Sequence, residues 1–165
     1  MKNRIIAVAL TLVMAVYAFA PSFNAAASVQ SGNPLKNIAV TDTTGKLTNA
    51  TFSVTRFAVK GGNIVATGTL RGTLNNQQVN EQVTMPVNVT RATCDILNLQ
   101  LGPLDLNLLG LRIQLSQVNL DITAQQGSGN LLGNLLCQVA KLLDGQGRAL
   151  GRLVGLLNDI LNALG

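Results

Sequence analysis

From about residue 37 to residue 124, apolar and polar side chains alternate with a period of two. That pattern dictates strands with one buried and one solvated face, because successive side chains of a strand point to opposite sides. The clearest stretch is Ile64, Ala66, Gly68, Leu70, Gly72 and Leu74, interleaved with Val65, Thr67, Thr69, Arg71 and Thr73. Gly61-Gly62 precede it and Asn75-Asn76 follow it, so both ends carry turn residues. Upstream, Leu47 to Lys60 is rich in Thr, Val and Phe, and its phase shifts near Arg56 and Phe57, as a bulge would produce. Downstream, Val83, Met85, Val87 and Val89 share a face, and Pro86 among them predicts an edge position or a bulge.

Beyond Cys94 the strands become Leu-rich. The sets are Leu97, Leu99 and Leu101; Leu104, Leu106 and Leu108; Leu109, Leu111, Ile113 and Leu115; and Val118, Leu120 and Ile122. Parity flips at Gly102-Pro103, at Leu108-Leu109-Gly110 and at Ser116-Gln117, which predicts short antiparallel strands joined by tight connections. Gly127, Ser128 and Gly129 end the strand pattern, and Asn130 is the expected N-cap of a helix. Its apolar face would be Leu131, Leu132, Leu135, Leu136, Val139, Leu142 and Leu143, with Gly145 and Gly147 ending it. A second amphipathic helix follows, striped by Leu150, Leu153, Val154, Leu157, Ile160, Leu161 and Leu164. The fold class is therefore α+β: an antiparallel β-rich sheet or partly closed barrel, then a C-terminal amphipathic helical hairpin at about residues 130–164.

The N-terminus sets the compartment. A short basic start (Met1, Lys2, Asn3, Arg4), an uncharged apolar run from Ile5 to Ala20, and the small residues Ala25, Ala26 and Ala27 form a secretory signal, with cleavage expected between Ala27 and Ser28. The run is shorter than the roughly 20 residues that cross a bilayer, and no second span of that length follows, so the released product is not expected to be an integral membrane protein. The expected organisation is a signal peptide over 1–27, a flexible leader over 28–36 and a single domain over 37–165. Destination is the periplasm or the extracellular medium. Loss of Lys2 and Arg4 leaves a mild net charge of +3, with the cations scattered along the chain. Nucleic acid, which needs a basic stripe, is not an expected partner.

In an exported chain the two cysteines, Cys94 and Cys137, are expected to form a disulfide. With no His anywhere, two thiols cannot complete a tetrahedral zinc site. A loop of 43 residues would be closed, worth about 4 kcal/mol in the chain-entropy account. The residues CDILNLQLGPLDLNLLGL (94–111) and LDITAQQGSGNLLGNLLCQVAKLLDG (120–145) resemble a group of uncharacterised exported bacterial proteins. That group shares a C-x-I-L-x-L-x-L-G-P-x-x-L-x-L-L-G-L segment followed by G-x-G-N-L-L-G-N-L-L-C. The resemblance implies bacterial origin, export and the Cys94–Cys137 pairing, and it implies no activity.

Catalytic chemistry is sparse in the sequence. Nucleophilic and general-base catalysis usually recruits His, and both thiols are assigned to the bridge. Thr43-Thr44-Gly45-Lys46 reads as a turn, not a Thr/Lys catalytic pair. Asp95, Asp105 and Asp121 sit at the parity opposite to the apolar face, so each is expected in solvent, with Asp105 and Asp121 the best pair for a carboxylate-dependent hydrolase. Gly127-x-Gly129-x-x-x-Gly133 has one residue too many before its third glycine for a dinucleotide fingerprint and reads as a turn before a helix. Gly147, Gly151 and Gly155, like Gly129 and Gly133, are spaced for close packing of a helix against its neighbour.

After cleavage only Phe52 and Phe57 remain of the aromatics, which argues against stacking platforms for sugars or single strands and against an outer-membrane barrel. What stands out is aliphatic surface. No enzymatic activity and no cofactor or metal is expected. The leading expectation is a binding or interaction module for a lipid or other hydrophobic small molecule, or for an envelope component. A dry pocket would open wherever the sheet fails to cover both helices. The alternative is a surface or matrix protein whose strand edges pair between chains.

Overall fold

The computed structural model describes residues 32–145 and 149–165. The expected signal peptide, its expected cleavage site at Ala27–Ser28 and Gly147 lie outside the described residues. Strands β1 (Ile38–Ala39), β2 (Leu47–Lys60), β3 (Asn63–Leu74), β4 (Gln77–Ala92), β5 (Ile96–Leu101) and β8 (Val118–Thr123) form one antiparallel sheet in that order, curled into a half-barrel. Strands β6 (Leu104–Leu108) and β7 (Leu111–Leu115) form a separate hairpin. Helices α1 (Leu131–Asp144) and α2 (Leu150–Ala163) follow, so the fold is α+β, as the alternation and the C-terminal stripes predict.

The turns are made by the residues that mark them in the sequence. Gly61 and Gly62 (φ 58° and 77°) and Asn75 and Asn76 (φ 49° and 63°) take the two successive left-handed conformations that join twisted strands in two residues. The register of β2 against β3 shifts between Val54 and Arg56, the bulge expected near Arg56–Phe57, and again between Thr48 and Thr51. In β3, Gly68 and Gly72 leave room for β2 side chains. A Cβ on Gly68 would come within 2.7 Å of the Phe52 ring, and one on Gly72 within 2.9 Å of Leu47.

Several expectations are corrected. Pro86 does not lie on an edge strand, since β4 pairs with β3 and β5, and the irregularity that β4 does carry against β5 falls further on, between Val89 and Arg91. Pro86 sits where β5 leaves the sheet: Gly102 N–H donates to the Pro86 carbonyl at 2.9 Å, and the donor proline lacks would have faced that same end. Leu109 belongs to no apolar face, being 67% exposed at φ 49° in the β6–β7 turn. The expected leader is packed in its described part: Leu35 is fully buried and its carbonyl accepts from Val54 N–H at 2.8 Å.

The core lies between the concave face of the sheet, the hairpin and the helices. Phe52, Phe57, Leu70, Met85, Leu97, Leu99, Ile113 and Ile122 are among its buried members. Helix α2 packs on α1 and β2, and it buries Leu153, Leu157, Ile160 and Leu161, so its stripe is docked internally. Helix α1 buries Leu135, Leu136 and Val139, but Leu131 (62%) and Leu143 (43%) of the expected stripe are exposed. Gly151 and Gly155 face open space and join no helix contact. Gly133 does pack closely, its missing Cβ leaving room for the Gln125 carbonyl. Asn130 occupies the N-cap without a side-chain cap bond. The Asn134 side chain instead donates to the Gly127 carbonyl at 3.1 Å.

Cys94, after β4, and Cys137, on α1, are joined in a disulfide. The bridge ties α1 to the sheet end where β4 turns into β5. Among the described residues no helix is long and apolar enough to cross a membrane.

Candidate functional site

Leu135, Leu136 and Val139 of α1 and Leu153, Leu157, Ile160 and Leu161 of α2 are buried in the core, whereas Leu142 of the expected α1 stripe is only half-buried and lies at the seam between the helices. The chemically richest concavity is on the outer seam of the helical hairpin. Gln138, Lys141 and Leu142 share one side of α1 at helical spacing, and Arg152 and Leu156, one turn apart, face them from α2. Together they line a groove of about 290 Å³. Leu142 and Leu156 are half-buried and form its floor, while Gln138, Lys141 and Arg152 are exposed on its rim. Neither Lys141 nor Arg152 has an ion-pair partner among the described residues, where the one salt bridge joins Arg112 and Asp105. The groove thus sets an aliphatic floor beneath two cations.

Two further grooves, of about 370 and 520 Å³, flank the segment Ala124-Gln125. Leu131, Leu132 and Asn130 line one; Asp95, Ile96 and Thr123 line the other. They are roomier than the helical groove, but they bring no cation.

The candidate carboxylates Asp105 and Asp121 lie in different sheets, each with its own hydrogen-bond partners. Asp105 is exposed on β6, where Arg112 Nε donates to its two oxygens at 3.0 and 2.9 Å and Gln114 donates from the same hairpin. The Arg112 hydrogen bond and charge hold the Asp105 carboxyl below its usual range, which suits a fixed anion and not a proton donor. Asp121 is exposed on β8, in the other sheet, and accepts from Asn98. Asp95 is exposed after the disulfide.

Sequence reasoning passed over the one buried carboxylate. Asp42 is 7% exposed and accepts from the backbone N–H groups of Thr44 (2.9 Å), Lys46 (2.8 Å), Leu47 (2.9 Å) and Gln114 (3.1 Å), and from the Thr44 hydroxyl. Burial alone would raise its pKa, but those donors outweigh it and hold the group far below the ordinary carboxylate range. Thr43-Thr44-Gly45-Lys46 is thus a turn wrapped around Asp42, as its composition predicts. The signal for Asp42 was the D-x-T-G order, in which a carboxylate caps the turn that follows it. Because Gln114 lies on β7, Asp42 also pins the hairpin to the sheet, beside the Asp42–Leu115 bridge. All its lone pairs are occupied by fold-holding donors, which marks it as structural.

The cysteines form the bridge, and the glycines of Gly127-x-Gly129-x-x-x-Gly133 are spent on the loop and on packing α1 against Gln125. Among the described residues no cluster of His, Cys, Asp and Glu could hold a metal. No protein-family model, curated protein or solved structure matches the chain.

Proposed function

We propose that the chain is exported and acts as a non-enzymatic binding module, taking a hydrophobic molecule with an anionic end in the groove between α1 and α2. The observation that carries this reading is the Leu142–Leu156 floor beneath Lys141 and Arg152, neither of which is ion-paired among the described residues. An envelope lipid or a free acyl carboxylate has that chemistry. Export is supported by the basic and apolar N-terminus with its Ala25–Ala27 end, and by a disulfide, which persists in oxidising compartments.

Titration with sodium decanoate, followed by amide chemical shifts, tests the reading. Saturable shifts at Gln138, Lys141, Leu142, Arg152 and Leu156 are expected, with decanol and inorganic phosphate each binding much more weakly. The double variant Lys141→Gln/Arg152→Gln should keep its melting temperature and lose about tenfold in affinity, on the order of 0.7 kcal/mol for each partly exposed charge. Absence of saturation, or equal affinity in the double variant, overturns the assignment.

A further inference from the structure

Strand β8 closes one side of the sheet and has no strand partner on its outer edge among the described residues. Its backbone directions follow from the pairing with β5. Ala124 N–H donates to the Asp95 carbonyl at 3.0 Å, and Ile122, Leu120 and Val118 continue the register opposite Leu97, Leu99 and Leu101. Hydrogen-bonded pairs alternate along an antiparallel ladder, so the even-numbered residues of β8 are turned to β5. Asn119, Asp121 and Thr123 therefore present their N–H and C=O groups outward. The apolar face is also unfinished: Val118 and Leu120 are half-buried, whereas Leu99 and Leu101 beside them are 1% exposed.

We infer that this edge pairs with the β8 edge of a second copy, antiparallel about a two-fold axis at Leu120. Two symmetric registers keep five of the six β8 residues opposite one another with matching faces and matching donors. One is centred on Asp121 and sets two carboxylates side by side, which is repulsive. The other is centred on Leu120. It sets Asp121 against Asn119 of the second copy, Val118 against its Ile122, and Leu120 against Leu120. Charge thus selects the second register, and the outward groups of Asn119 and Asp121 then meet in hydrogen-bonded pairs. The contact is isologous, so it closes at two copies and does not propagate. The two half-barrels would share one continuous sheet, with Val118 and Leu120 covered by their symmetry mates.

Light scattering across a concentration series should read twice the chain mass for exported, disulfide-intact protein. Leu120→Cys should form an intermolecular disulfide under mild oxidation, and Asp121→Cys should not, because only Leu120 faces its own copy. Asn119→Pro removes an outward N–H that β5 does not use, so it should leave the circular dichroism and melting of the fold intact and shift the protein to monomer. A monomer at all concentrations overturns the inference, as does a dimer that survives Asn119→Pro. Cross-linking by Asp121→Cys in place of Leu120→Cys, or a mass that keeps growing with concentration, overturns the two-fold register. The outcome is independent of ligand binding in the helical groove.

Discussion

Replacing Asp42 by Ala removes the acceptor of five hydrogen bonds from a site that is 7% exposed. The Leu47 N–H is buried, so orphaning it costs the full desolvation penalty of about 1–3 kcal/mol. The N–H groups of Thr44, Lys46 and Gln114 are part-buried and regain some water, so each contributes about 0.5–1 kcal/mol. The expected loss is about 3–5 kcal/mol, a large share of a domain's net stability. Asp42→Asn keeps one oxygen and turns an amide N–H₂ toward two donors, and it should cost about half as much. The same site sets a pH dependence. The Asp42 pKa is depressed in the folded protein, so near the ordinary carboxylate range the unfolded chain binds the proton that the folded chain refuses. Stability from this group is therefore present above the unfolded pKa and is lost as pH falls through the folded one. Urea unfolding between pH 7 and pH 2 should show the wild type weakening toward acid and Asp42→Asn weakening less. Equal slopes, or a loss below about 1 kcal/mol in Asp42→Ala, would refute the idea that this carboxylate holds turn and hairpin together.

Two further outcomes follow from the helices and the bridge. Leu157 is 1% exposed between α2 and the core, so Leu157→Asp should lose more than about 5 kcal/mol and unfold the domain, read by near-ultraviolet circular dichroism; a folded variant would contradict internal docking. Cys94→Ser, or its partner Cys137→Ser, opens a 43-residue loop and should lower stability in urea by about 2–5 kcal/mol, whereas an unchanged midpoint would contradict a stabilising bridge.

The strands were legible because sheet periodicity has no competitor once turn residues bracket it. Gly61-Gly62, Asn75-Asn76 and the three parity flips after Cys94 all mark real connections. Leu109 was misplaced because a Leu beside a flip fits either strand by hydropathy, and only the backbone conformation of the turn excludes it. The ends of the α1 stripe, Leu131 and Leu143, follow the 3.6 period but are 62% and 43% exposed, so periodicity overstated their burial. Parity correctly put Asp95, Asp105 and Asp121 in solvent. The helical groove was invisible, since Lys141 and Arg152 belong to different helices and their meeting depends on the hairpin's packing.

The outer edge of β2 shows what a managed edge looks like in this molecule. Pairing with β1 covers Thr51 and Phe52, the Leu35 carbonyl takes Val54 N–H, and the Asn158 side chain serves both groups of Phe57, accepting from its N–H at 2.8 Å and donating to its carbonyl at 3.0 Å. Outward groups normally recur every second residue, yet Val54 and Phe57 are three apart. The bulge between Val54 and Arg56 supplies the extra residue, and it also lets both side chains face the core, at 3% and 1% exposure. Asn158 sits beside Leu157 on the docked side of α2, where hydropathy alone would read a flaw in the stripe. It is instead the group that satisfies the stretch of edge at Phe57, which no strand reaches among the described residues. Natural sheets cover or charge their edges against unwanted pairing. Three separate devices protect β2, while β8 carries the single charge of Asp121, already engaged by Asn98. That asymmetry is the physical reason to look to β8, and not to β2, for the partner of this sheet.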